Sequence, residues 1–381
     1  MIPSSHHDAR SRPGSGRRTR RRGRAALVWA LVAFAGLQLF VSRIIDHWES
    51  GLRDSEYGRK LSLLRARIAE HPDQPLVLAL GTSRTAYGLR PAAMSGVTVG
   101  ETEPLLFNFG VLGGGPLYEL VFLNRLLGEG IRPATVLIEV HPPLLHDVPD
   151  LEAVLAPVVE RCDARDLAIL RRFAARPIRL YAEWLRLRLA PCHWYRYVLL
   201  TRAAPRWVTE PPRPDIAGLT RTDPFGWVPY PFDPPGESLR QERSRQTVAA
   251  YESAIRDYAV SDVPDRALRE MLDVCRRAQI DAALLIMPEE SEYRRTFATR
   301  TQARAEAYLD ALCGDYGVPL FDAREWCGDS DFGDAQHLLR DGAGRFSAMF
   351  AGDRLRPWLT AKRDGPAASV ARQPGSTAQP R

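Results

Sequence analysis

The sequence predicts a doubly wound α/β fold, a parallel sheet flanked by helices, carried behind an N-terminal transmembrane helix and interrupted by a helical and Pro-rich insertion. Three observations lead there. Five short runs are apolar on both faces, as strands buried in a parallel sheet must be. They alternate with stretches of helical periodicity, and one uncharged run near the N-terminus is long enough to cross a bilayer. With 381 residues, 45% of them hydrophobic and 26% charged, the chain has length for one large domain or two ordinary ones and too many apolar residues for a disordered protein.

Residues 1–24 form a basic tail in which eight Arg stand against Asp8, a charge of +7. Residues 362–381 add +3, so residues 25–361 carry −4 of the net +6 (7 + 3 − 4). A nucleic-acid binder keeps its positive field on the folded body, where a groove can follow phosphates, so no nucleic-acid partner is expected. The apolar run beside the Arg tail explains it better. Ala25–Ser42 (AALVWALVAFAGLQLFVS) runs for 18 residues without a charge, about 27 Å as a helix. Ile44 and Ile45 extend it and Arg43 can snorkel, so residues 25–45 read as a membrane anchor. The positive-inside rule keeps the Arg tail in the cytoplasm. That makes the chain a single-pass protein of the inner (cytoplasmic) membrane with a periplasmic or otherwise extracytoplasmic body. A cleaved signal peptide and a core helix compete with this reading. Ala33-Phe34-Ala35 has the small-x-small form of a cleavage site, but the apolar run continues past it, which favours an anchor that is kept.

Residues 46–74 lead away from the membrane as a juxtamembrane helix: Leu61, Leu64 and Ile68 keep helical spacing in a charged segment that ends at His71-Pro72. The domain proper spans residues 75–360. Its predicted strands are Leu76–Leu80, Leu105–Phe109, Thr135–Val140, Ala282–Met287 and Val318–Phe321, with helices over 116–128 and 264–278. Ligands of such sheets bind beyond the carboxyl ends of the strands. Between the third and fourth strands lies an insertion, about 148–262, too long for a connection. It begins helical and Arg-rich around Trp184, Trp194 and Tyr195. Residues 205–235 then hold nine Pro with Trp207, Trp227 and Tyr230, which excludes regular helix or central strand there. This part reads as a loop or lid whose aromatics either cover a substrate cleft or pin the loop to the body. Residues 361–381 are rich in Pro, Gly, Ser and Ala and read as a disordered tail. Cys162, Cys192, Cys275, Cys313 and Cys327 show no CxxC spacing. Up to two disulfides, with the pairing open, and small buried hydrophobes are both compatible with them.

Chemistry is sought just after each strand. Gly81-Thr82-Ser83-Arg84 follows the first strand, and Ser83 is a candidate nucleophile there, although Ser in such a turn is also a common helix cap. Far downstream, Asp334 stands three residues before His337, close enough to orient the imidazole while it deprotonates the Ser. Gly113-Gly114-Gly115 lacks the Lys-Ser/Thr of a phosphate loop, and close backbone approach explains these glycines better. Glu289 and Glu290 after the fourth strand point in different directions, which suits a solvated strand exit rather than the paired carboxylates of a glycosidase. Arg84, Asn108, His141 and Trp227 are candidate substrate contacts. His141, His146 and His193 form no recognisable metal set, and neither metal nor cofactor is expected.

These residues resemble, in kind and order, the SGNH (GDSL-type) hydrolase superfamily over about residues 70–355. The likeness rests on Gly81-Thr82-Ser83, on Asn108-Phe109-Gly110-Val111-Leu112-Gly113, and on Asp334-x-x-His337-Leu338 with Gly342-Ala343 and Phe346. The anchor-then-domain layout is similar to membrane-anchored, extracytoplasmic members such as the alginate O-acetyltransferase-like and D-alanylation-type proteins. The resemblance implies a flavodoxin-like sheet, Ser83 as nucleophile, His337 as base, Asp334 as its partner, and an oxyanion hole from the N–H groups of Ser83 and Gly113. It also implies a serine esterase or O-acyltransferase, acetyl being the group carried, that works on a cell-surface polysaccharide or glycan with a membrane-bound acyl donor protein as partner. One element departs. The superfamily's third oxyanion donor is an Asn after strand three, where this chain has Glu139-Val140-His141-Pro142-Pro143, and its only two Asn, Asn108 and Asn124, lie elsewhere. His141 either substitutes or simply ends the strand. Losing one such donor costs about two to three orders of magnitude in rate. A slow esterase, a transferase with an altered hole, and a weak or inactive protein that binds polysaccharide or supports an envelope assembly all fit that departure.

Overall fold

The computed structural model describes residues 15–47, 50–98, 102–146, 155, 158–207, 221–232, 234–256, 258–297 and 299–364. The apolar runs pair into one five-stranded sheet of β1 (Leu76–Gly81), β2 (Leu105–Gly110), β3 (Thr135–Glu139), β4 (Asp281–Ile286) and β5 (Leu320–Asp322). All pairs are parallel and the order is β2-β1-β3-β4-β5. Every residue of β1 and β3 is buried, which is why neither strand alternates apolar with polar. Leu76, Leu78 and Leu80 point into one core layer with Phe107 and Phe109, while Val77 and Ala79 point into a second with Phe346, Phe350 and Leu355. The strand after β1 lies on one side of it and β3 on the other, so the order reverses between β1 and β3, the position at which sheets of this kind bind ligands beyond their carboxyl ends.

Five helices precede or interleave with the first strands: α1 (Ser15–His47), α2 (Ser50–Arg53), α3 (Ser55–Glu70), α4 (Ser83–Gly88) and α5 (Pro116–Gly128). Within α1, Arg22–Asp46 is long and apolar enough to cross a membrane. Leu27, Trp29 and Leu31 are 68–73% exposed within the chain, whereas Gln38 is 5% exposed. Asp54 caps α3 by accepting the Tyr57 N–H at 3.1 Å. Helix α3 is part of the domain's interior rather than a spacer. Tyr57, Leu61 and Leu64 join the first core layer. Lys60 is fully buried and its Nζ donates to Asn108 O (3.2 Å) and Gly226 O (2.7 Å). One turn earlier, Glu56 accepts the Leu112 N–H at 3.1 Å and pairs with Arg161 at 3.4 Å.

The insertion folds as the helices Ala164–Leu170, Pro177–Leu189, Pro191–Trp194 and Arg196–Ala203, the irregular stretch 221–232, and a long helix Glu237–Arg256. That last helix is not evident from the sequence. Charged residues on all its sides leave no apolar stripe to signal it. The tail begins later than its composition suggests, because Ala361–Asp364 completes the helix Arg356–Asp364; residues 365–381 lie outside the described residues, as do 1–14, 147–154 and 208–220. All five cysteines are free thiols, with Cys162, Cys275 and Cys327 buried.

Burial pushes the Glu56 carboxyl up to about 7 and the Lys60 ammonium down to about 8. Between about pH 4.5 and 7 the folded protein therefore holds a proton on Glu56 that the unfolded chain has released, so this group's share of stability is lost as pH rises through that window. Glu56→Gln keeps an acceptor for the Leu112 N–H and removes the titration. Urea unfolding at about pH 5 and about pH 7.5 is expected to show the wild-type protein losing more stability between the two values than the variant does.

Candidate active site

Ser83 opens α4 directly after β1, on a turn the sequence shapes tightly. A Cβ at Gly81 would sit 2.3 Å from Thr85 Oγ1 and 2.5 Å from Glu139 Oε2, so only glycine lets the chain close here. Glu139 ends β3 and is 2% exposed. Its carboxylate accepts the Thr82 N–H (2.8 Å), the Thr85 N–H (3.2 Å) and both threonine hydroxyls, Thr85 Oγ1 at 2.6 Å and Thr82 Oγ1 at 3.0 Å. The Arg84 N–H goes to Thr82 Oγ1 at 3.1 Å. Of the turn's amides, the Ser83 N–H alone has no acceptor among the described residues.

The three residues expected to do chemistry come together although 254 positions separate Ser83 from His337. Ser83 Oγ lies 2.8 Å from His337 Nε2, and His337 Nδ1 lies 2.8 Å from Asp334 Oδ2. An ionised Asp334 can only accept, which puts the ring proton on Nδ1 and leaves Nε2 to accept from Ser83. Burial alone would raise the Asp334 carboxyl, but His337 and the N–H groups of Gln336 and His337, each 2.9 Å from Oδ1, hold it below its usual range. The carboxylate stays charged to orient the imidazole. Tyr230 completes the pocket from the insertion: its hydroxyl donates to Asp334 Oδ2 at 3.2 Å and its ring stacks on His337 at 5.9 Å, with Tyr87 edge-on to His337 at 5.3 Å.

Gly113 sits on the loop after β2 with φ +69°, a left-handed conformation suited to glycine. The loop crosses the Ser83 turn closely: a Cβ at Gly114 would lie 3.3 Å from Gly81 O and 3.6 Å from Thr82 Cα. The Gly113 N–H, like that of Ser83, has no acceptor among the described residues. A cavity of about 230 Å³, mainly apolar, adjoins Gly113–Tyr118 and Leu144.

The four expected substrate contacts are placed in the interior. Arg84 is 2% exposed, pairs with Glu289 at 3.1 Å and donates to Met287 O at 2.8 Å. Asn108 is 0% exposed and commits its amide to Thr85 O (2.7 Å), Leu89 O (2.5 Å) and the Gly110 N–H (2.8 Å). Trp227 is buried, donates to Tyr87 O at 2.6 Å and carries the Arg90 guanidinium on its ring. His141, two residues after β3, is 3% exposed. Its Nε2 meets Tyr293 Oη at 3.0 Å, and burial, then Arg84 and His337, hold the ring well below its usual pKa and so neutral. The solvated exit expected at Glu289-Glu290 is corrected: both acids are 2% exposed because Arg84 and Arg240 neutralise them. The roles of Glu139, Tyr230 and Tyr87 are not visible in the sequence. Only the threonines flanking Ser83 hint that a buried acceptor is needed.

Compared with known proteins, the chain matches no family model and no curated protein.

The Glu139 carboxylate serves four donors that have no other acceptor among the described residues. Glu139→Leu strands them and is expected to cost about 3–5 kcal/mol. Denaturant midpoints check it; a loss within the error of the measurement would mean that water replaces the carboxylate.

Proposed function

We propose that this protein is a serine acyl-transfer enzyme of the SGNH kind, anchored in the cytoplasmic membrane by α1 with its domain on the outer side. The observation that carries this reading is the continuous relay Ser83 Oγ–His337 Nε2 (2.8 Å) and His337 Nδ1–Asp334 Oδ2 (2.8 Å) beside a Ser83 N–H left without an acceptor among the described residues. A nucleophile, its base and an orienting carboxylate in hydrogen-bond reach are the minimum for acyl transfer through serine. The strand order β2-β1-β3-β4-β5 supports the reading, since it is compatible with a flavodoxin-like doubly wound sheet, and such sheets bind ligands beyond the carboxyl ends of their strands.

In the proposed reaction Ser83 Oγ attacks the carbonyl carbon of an ester while His337 Nε2 takes the hydroxyl proton. The tetrahedral oxyanion meets the Ser83 and Gly113 N–H groups, with His141 Nδ1–H as a third donor when the Tyr293 hydroxyl donates its hydrogen bond to an unprotonated Nε2. Collapse breaks the ester C–O bond, and His337 returns its proton to the departing alkoxide, leaving acyl-Ser83. Water or a sugar hydroxyl, deprotonated by His337, then attacks the acyl carbon; collapse breaks its bond to Ser83 Oγ, which takes the proton back from His337 and regenerates the serine. The resemblance to the SGNH superfamily makes acetyl the acyl group and a cell-surface glycan the acceptor or donor.

Incubation of the full-length protein in detergent with a fluorophosphonate probe and a short acyl ester tests the reading. Adduct mass is expected on Ser83 alone and is expected to vanish in Ser83→Ala and His337→Ala. Asp334→Asn is expected to slow ester cleavage by about four orders of magnitude, and His141→Ala by about two. A folded wild-type protein that neither labels nor cleaves would overturn the enzyme reading in favour of a polysaccharide-binding or assembly protein.

A further inference from the structure

The Pro177–Leu189 helix carries apolar residues on two opposite sides. Leu180 and Leu187 are each 2% exposed and join the domain core. On the outward side Ile178, Tyr181, Leu185 and Leu189 are 75%, 38%, 51% and 59% exposed, and at helical spacing they share an arc of about 80°. A helix facing water presents polar groups there. The Arg196–Ala203 helix and the turn after it continue the pattern with Tyr197, Leu200 and Trp207, the last 67% exposed.

Beside this surface lies α1. The Cys192 N–H, at the tip between the two helices, donates to Gln38 Oε1 at 3.3 Å, which is why Gln38 is buried while its neighbours are exposed. Gln38 stands four residues, about 6 Å, inside the end of the uncharged run at Ser42. Val41 and Ile45 of α1 pack with Trp194, Tyr195, Val198 and Leu199, and Arg188 pairs with Asp46 at 3.1 Å. The helical hairpin thus descends alongside α1 to a level where α1 itself is apolar all round. Its charge fits the same surroundings: residues 176–207 hold seven Arg and one Glu, +6, which leaves −10 for the rest of residues 25–361 (−4 − 6).

We infer that the Pro177–Ala203 hairpin is a second membrane contact, dipping beside α1 into the leaflet from which α1 emerges, with its outward apolar face among the acyl chains and its exposed arginines among anionic headgroups. An apolar face flanked by Arg, with Tyr and Trp at its margin, is what an interfacial helix requires. The inference rests on the reading of α1 as a membrane anchor and is independent of the chemistry at Ser83.

Single cysteines replace Leu185, Leu189, Phe34 and Arg245 in a Cys192→Ser, Cys313→Ser background of the full chain, each carrying a bimane fluorophore. The proteins are reconstituted in phosphatidylethanolamine–phosphatidylglycerol vesicles, with or without lipids brominated in the upper acyl chain. Bromine is expected to cut emission roughly twofold at positions 185 and 189, as at position 34 in α1, and to leave position 245 on the Glu237–Arg256 helix unchanged. Quenching at 34 but none at 185 and 189 overturns the inference while leaving the anchor intact; if emission at 185 and 189 is then blue-shifted, a second copy of the chain covers the face. No quenching at 34 removes the anchor and the inference together.

Discussion

A buried carboxylate must be satisfied in full or the fold pays several kcal/mol for it, and at Glu139 that requirement organises the carboxyl ends of β1 and β3. Its two oxygens take up the backbone and hydroxyl donors of Thr82 and Thr85, so the segment after β1 has one way to leave the sheet. The same contacts demand glycine at 81. They also bring Arg84 inward, where its Nε stands 4.0 Å from Glu139 and its Nη2 reaches Glu289. Ser83 is what remains facing out. Its hydroxyl meets His337 and its amide is left over because every neighbouring amide has been used.

The Pro-rich stretch of the insertion acts on the other side of the same group of residues. Asp223 Oδ1 accepts the N–H groups of Phe225 (2.9 Å) and Trp227 (3.0 Å), folding the stretch on itself without regular structure. Trp227 then locks onto α4 through Tyr87 O, flanked by the guanidinium groups of Arg90 and Arg340 at 4.9 and 5.2 Å. Tyr230 holds Asp334 and shields the imidazole. Of the two roles open to these aromatics, cover or pin, Trp227 and Tyr230 are pins: Trp227 holds the stretch to α4, and Tyr230 bonds the carboxylate and stacks on the imidazole.

How much of this could be read without coordinates depends on distance along the chain. The strands were legible because LVLAL and TVLIE are apolar on both faces, a local property. Ser83, Asp334 and His337 were legible because two lie three residues apart and the third follows a strand, although their meeting is non-local. Side-chain direction was not legible. Arg84 and Asn108 stand at the right place along the chain to greet a substrate, yet each turns inward to partners such as Glu289 and Leu89 O that no local pattern reveals. Glu289 and Glu290 failed in the same way, since their neutralising arginines lie 205 and 50 residues away. Glu139 drew no reading of its own, because the donors it serves, on Thr82 and Thr85, lie more than 50 residues away.

Lys60 bears on how this protein can be taken apart. Helix α3 looks like a stalk between anchor and domain, but the Lys60 ammonium is the donor for Asn108 O and Gly226 O, and Glu56 holds the backbone at Leu112, one residue before Gly113. A chain shortened to begin at β1 would expose Leu61 and Leu64 contacts and strip partners from carbonyls on β2 and on the Pro-rich stretch. The separable unit therefore begins at about Ser50, not at the first strand. Exchanging α3 for another protein's helix would alter the interior beneath the loop at Gly113, so α3 and the sheet fold and fail together.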